Sequence, residues 1–67
     1  MEKYYIEFRR NYKKDWINMA VQFSSYKSVK KAIDDLLLDD FHARDYEYEY
    51  RIIKDNKQIG DIYHLER

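Results

Sequence analysis

Four groups of residues in this 67-residue chain bring functional groups together at spacings that could do chemistry. The first is acidic. From Asp34 to Glu49 there are seven carboxylates, Asp34, Asp35, Asp39, Asp40, Asp45, Glu47 and Glu49, against one basic residue, Arg44. With Leu38 and Phe41 among them, the run could engage a basic protein partner, charge giving speed and selectivity while apolar anchors supply much of the affinity. The second group is basic and aromatic. Arg9, Arg10, Lys13 and Lys14 could meet phosphates, and Tyr12 and Trp16 could stack on bases, which makes nucleic-acid binding the alternative reading. Third, Asp39, Asp40, His42 and Asp45 could hold a hard divalent cation, but they lack the regular spacing of a calcium loop. Fourth, Ser24, Ser25 or Ser28 could be recruited as a nucleophile by His42 or His64. Helix capping explains these serines better.

The bland readings of the first two groups are a solvated acidic edge and ordinary strand packing by tyrosine. Glu47 and Glu49 are expected on the same open sheet face as the basic hairpin, where they would repel a nucleic-acid backbone. Catalysis has weak support. A phosphate-cradling loop needs several glycines at set spacing, and Gly60 stands alone. So short a chain also offers little cleft in which to shift one carboxylate pKa away from another. The expectation is a non-enzymatic protein with no catalytic residues, no metal and no cofactor.

The element that organises these groups is the stretch from Tyr26 to Phe41. At the helical repeat of about 100° per residue, Tyr26, Val29, Ala32, Ile33, Leu36 and Leu37 fall on one arc, the face expected to meet a core. Ser24 and Ser25 supply cap chemistry at its start. Asp40 would return to the apolar arc, so the helix is expected over about 26–39. Leu38 projects among Lys27, Lys31, Asp34 and Asp35, exposed unless the last turn tightens and draws it inward. The charges run against the macrodipole, with Lys27, Lys30 and Lys31 in the first half and Asp34, Asp35, Asp39 and Asp40 in the second. Pairs such as Lys30 with Asp34 and Lys31 with Asp35 recover part of that cost.

The remaining segments alternate at the strand period. From Lys3 to Arg10, Tyr4, Ile6 and Phe8 oppose Tyr5, Glu7 and Arg9. From Trp16 to Phe23, Ile17, Met19, Val21 and Phe23 share a face. From Tyr46 to Lys54, Tyr46, Tyr48, Tyr50 and Ile52 alternate with Glu47, Glu49, Arg51 and Ile53. A turn at Asp55, Asn56 and Lys57 leads to a last strand, Gln58 to Leu65. Its loop length decides which face Ile59, Ile62 and Tyr63 occupy. The fold expected is α+β, a two-layer sandwich: a four-stranded sheet in chain order strand, strand, helix, strand, strand, with the helix on one face.

One domain fits the length, and so small a chain buries only about 60% of the surface it exposes unfolded. Without cysteine there is no disulfide framework. Association, with itself as a homodimer or with a target, is then the remaining way to bury more surface. Net charge is zero, yet residues 1–31 hold eight Lys or Arg against three Asp or Glu, and residues 32–67 hold five against ten. This asymmetry favours a charged partner. No apolar run approaches the roughly 18 to 20 residues of a membrane span, and the start lacks a signal-peptide core, so a cytoplasmic protein without membrane contact is expected. In its two hairpins and the late stretch YRIIKDNKQIG, the chain resembles the short uncharacterised proteins encoded by phages, prophages and plasmids of low-GC bacteria. The resemblance is one of style across the chain and carries no functional residue. It implies an inhibitor that binds one host factor, defence systems included.

Overall fold

A computed structural model describes residues 2–10, 13–43 and 48–64, the last four helical residues by backbone alone. Strand β1 (Tyr4–Arg10) and β2 (Ile17–Phe23) precede helix α1 (Tyr26–Ala43), and β3 (Tyr48–Lys54) and β4 (Lys57–His64) follow it. The four strands form one open sheet in spatial order β2-β1-β3-β4, every neighbouring pair antiparallel. The α+β architecture expected from periodicity is therefore present. Spatial order differs from chain order, because β1 and β3 are the central strands and α1 connects across β1.

Helix α1 packs against β1, β2 and β3. Val29 and Ile33 on the helix, Tyr4 and Ile6 on β1, and Tyr50 and Ile52 on β3 make the buried core. Each fully buried Ile or Val contributes about 1.5–3 kcal/mol by leaving water. The helix begins as the serines predict: Ser25 Oγ accepts a hydrogen bond from the Ser28 amide at 3.1 Å, and the Ser25 and Ser28 hydroxyls are 3.0 Å apart. It ends at Ala43, beyond the expected stop near Asp39. Apolar periodicity lapses at Asp40, but no glycine or proline follows to break the backbone, and the helix continues.

Register explains how the faces are sorted. In the first hairpin Tyr5 pairs with Gln22 and Glu7 with Asn18, so three residues of β2 stand opposite Ile6 alone. Ala20 sits in this bulge with φ of 61°, its amide donating to Asn18 Oδ1 at 2.6 Å. The second hairpin repeats the device. Tyr50 pairs with Tyr63 and Ile52 with Ile59, leaving three residues of β4 opposite Arg51, and Gly60 there has φ of 72°. A slip of two residues, unlike a slip of one, keeps each side chain on its original face. The turn between β3 and β4 consists of Asp55 and Asn56, with φ of 54° and 63°, closed by Lys54 paired with Lys57. Positive φ at both central positions is the two-residue type I′ geometry. Ile59 and Tyr63 therefore pack beside the core, and Ile62 is partly exposed.

Candidate protein interface

An apolar groove runs between β2 and α1. Its volume is ≈ 230 Å³, and Ile6, Met19, Val21, Phe23, Ala32 and Leu36 line it together with Asp35 and Asp39. The strand side is built by the bulge: Met19, Val21 and Phe23 all face the helix although Ala20 interrupts regular pairing. On the helix side, Ala32 is too small to fill the space between strand and helix, while Leu36 forms part of the wall. Val21 is 50% exposed and Ile17, on the same strand, 56% exposed. Asp35 meets Lys31 only at 4.0 Å across solvent, and Asp39 makes no ion pair among the described residues. The groove thus presents an apolar floor beside two solvated carboxylates.

The other members of the predicted acidic surface are dispersed. Asp34 is exposed and bonded to Lys30 Nζ at 2.8 Å. Leu38 is exposed, as the untightened helix allows, and points into solvent away from the groove. Glu49 lies on the opposite face of the sheet, on an inner strand, where it accepts a hydrogen bond from Arg9 Nε at 2.9 Å. The side chains of Asp40 and Phe41, and all of Asp45 and Glu47, lie outside the described residues, as does most of the proposed cation cluster of Asp39, Asp40, His42 and Asp45. Helix-borne Asp35 and Asp39 are brought to the groove; Glu49 is not.

The open face is a closed charge network. Glu7 pairs directly with Arg51 and Arg9 with Glu49 across β1 and β3. Arg51 donates to Glu7 Oε1 from Nη2 at 2.6 Å and from Nε at 2.9 Å. Trp16 lies with the Arg9 and Arg51 guanidinium carbons 4.4 and 4.3 Å from its ring centre. The tryptophan expected to stack on bases is therefore covered by two cations, and Arg9 is committed to a carboxylate. Lys13 and Lys14 are exposed near the end of β1, while Arg10 rests over Tyr48 at 5.8 Å. Tyr12 lies outside the described residues.

Two peripheral contacts hold the sheet to its surroundings. Lys54, hydrogen-bonded to Glu2 at 3.0 Å, holds the Glu2 carboxyl below its ordinary range, with a further bond from Tyr4. At the β4 edge, the Tyr26 and Tyr63 hydroxyls are 3.2 Å apart. That hydrogen bond, aided by burial, pushes the Tyr63 phenol up to about 12.

Sequence reasoning missed the groove because it depends on the bulge in β2. Asn18, two residues before Ala20, is a weak local signal; the second bulge had a stronger one in the isolated Gly60 within a strand pattern. Comparison with protein-family models, curated proteins and solved structures finds no match. No helix among the described residues is long and apolar enough to cross a membrane.

Proposed function

We propose that this protein is a non-enzymatic binding module whose working surface is the groove between β2 and α1. Its partner is another protein presenting an apolar side chain flanked by Lys or Arg. The observation that carries this reading is the juxtaposition of an accessible apolar floor of ≈ 230 Å³ with the exposed carboxylates of Asp35 and Asp39. An apolar anchor in such a groove supplies affinity, and the carboxylates select for positive charge around it. The style resemblance supports a host factor as that partner, with the protein acting as its inhibitor.

The test is selection of binders from a displayed library of random peptides, with Val21→Glu and Asp35→Lys/Asp39→Lys variants as controls. Selected peptides should combine a large apolar residue with neighbouring Lys or Arg, and each variant should lower their affinity about tenfold or more, equivalent to at least about 1.4 kcal/mol. Peptides that bind all variants equally would defeat the proposal. So would saturable, salt-sensitive binding of DNA or RNA that is lost when Arg9, Arg10, Lys13 and Lys14 are changed to Glu.

A further inference from the structure

The solvent face of α1 is not used by the groove, yet it carries an exposed Leu38 and a charge order that a lone helix does not favour. We propose that two copies of this chain associate through that face as an antiparallel helix pair related by a two-fold axis. The inference goes beyond the groove reading and uses a different surface.

Lys27, Lys31, Asp34 and Leu38 recur at intervals of four, three and four, the spacing of a heptad seam. Leu38 is 57% exposed and is the large apolar side chain among these four. Toward the helix start, Tyr26, Lys27, Lys30, Lys31 and Asp34 frame an open depression of ≈ 450 Å³, lined mostly by carbon from the Tyr26 ring and the lysine stems. Lys27, Lys30, Lys31 and Asp34 stand at i, i+3, i+4 and i+7, which is the outline of a hole that receives a side-chain knob from a facing helix. Seating Leu38 of one copy in this hole of the other places the two-fold axis near Asp34. The same rotation seats the second Leu38 in the first copy, so both contacts form together.

Charge agrees with the same arrangement. An antiparallel pair lays the lysine-bearing half of each helix alongside the aspartate-bearing half of the other, so the order that opposes the macrodipole within one chain becomes complementary between two. The two Asp34 carboxylates near the axis each arrive with Lys30 Nζ at 2.8 Å. The sheet edges compete poorly for self-pairing, because β2 is bulged at Ala20 and β4 at Gly60, and bulges interrupt the ladder an incoming strand would need.

Sedimentation equilibrium of the full chain over a wide concentration range tests this. The mass should rise from 8.4 kDa toward twice that value. Leu38→Asp should weaken association about tenfold or more, while Val21→Glu leaves it unchanged and so separates this face from the groove. Lys27→Glu/Lys31→Glu and Asp34→Lys should each associate poorly alone and recover the dimer when mixed. A wild-type mass that stays at 8.4 kDa at the highest concentration overturns the proposal, as does a folded Leu38→Asp variant that associates with undiminished strength. Should circular dichroism show Leu38→Asp unfolded, the charge variants decide: failure to recover on mixing refutes the pairing.

Discussion

Replacing Ala20 with glycine should make this protein more stable, although the change removes a side-chain carbon. Ala20 has φ of 61°, in the left-handed region where a Cβ crowds the following carbonyl at a cost of about 1–2 kcal/mol. Glycine escapes that cost but brings extra freedom to the unfolded chain, which offsets about 0.5–1 kcal/mol. The difference leaves Ala20→Gly more stable by about 0.5–1 kcal/mol, and in a domain of this size the melting midpoint should rise by about 4–7 °C. The second bulge supplies the mirror experiment. Gly60 has φ of 72°, and a Cβ there would stand 3.3 Å from Tyr63 Oη, so by the same balance Gly60→Ala should lose about 0.5–1 kcal/mol plus the cost of displacing that hydroxyl. Urea and thermal unfolding followed by circular dichroism measure both. Because the bulge persists in Ala20→Gly, Met19 and Val21 keep their place in the groove and peptide affinity should not change. A drop in stability on introducing glycine at position 20 would refute the left-handed bulge, and with it the registration of β2 that builds the groove.

Ile33, fully buried against both central strands, should cost about 2–5 kcal/mol when cut to alanine, enough to leave much of so small a domain unfolded by circular dichroism at 25 °C. Trp16→Ala removes two cation–π contacts and should lower stability by about 1–2 kcal/mol in urea, with the Glu7–Arg51 and Arg9–Glu49 pairs remaining. Tyr63 remains protonated in the folded chain up to about 12, whereas in the unfolded chain it titrates near 10.0. The unfolded state therefore loses its proton first, and the stability tied to this phenol is complete below pH 10.0 and falls as pH rises toward 12. Tyr26→Phe should bring the Tyr63 midpoint down in an ultraviolet phenolate titration; an unmoved midpoint would show that the Tyr26 hydrogen bond is not its main cause.

How much the letters reveal depends on whether a feature is periodic or registered. The alternation of Tyr4, Ile6 and Phe8 against Tyr5, Glu7 and Arg9 places each side chain on a face, and β1 carries that pattern into the folded sheet. The apolar arc of Val29, Ile33 and Leu36 likewise marks the helix face that meets the sheet, and Ser25 marks its start. Pairing between distant strands has no comparable local signal. Nothing in Arg9 indicates that Glu49, forty residues away, will neutralise it, or that Trp16 will lie over it. The acidic run from Asp34 to Glu49 looks continuous in sequence, yet a helix on one face and an inner strand facing the other way divide it. Among the described residues of that run, only Asp35 and Asp39 reach the apolar groove. That groove in turn depends on an alanine adopting a backbone conformation usually associated with glycine, which composition does not disclose.

The claim that the groove between β2 and α1 is the working surface is tested most directly by nuclear magnetic resonance titration of the labelled protein with a selected basic, apolar peptide. Binding there predicts saturable shifts concentrated at Met19, Val21, Phe23, Ala32 and Leu36, abolished in Val21→Glu, with Trp16 and Arg51 on the opposite face undisturbed. Shifts centred instead on Trp16 and its arginines, or a titration in which Val21→Glu binds as tightly as the original chain, would contradict it.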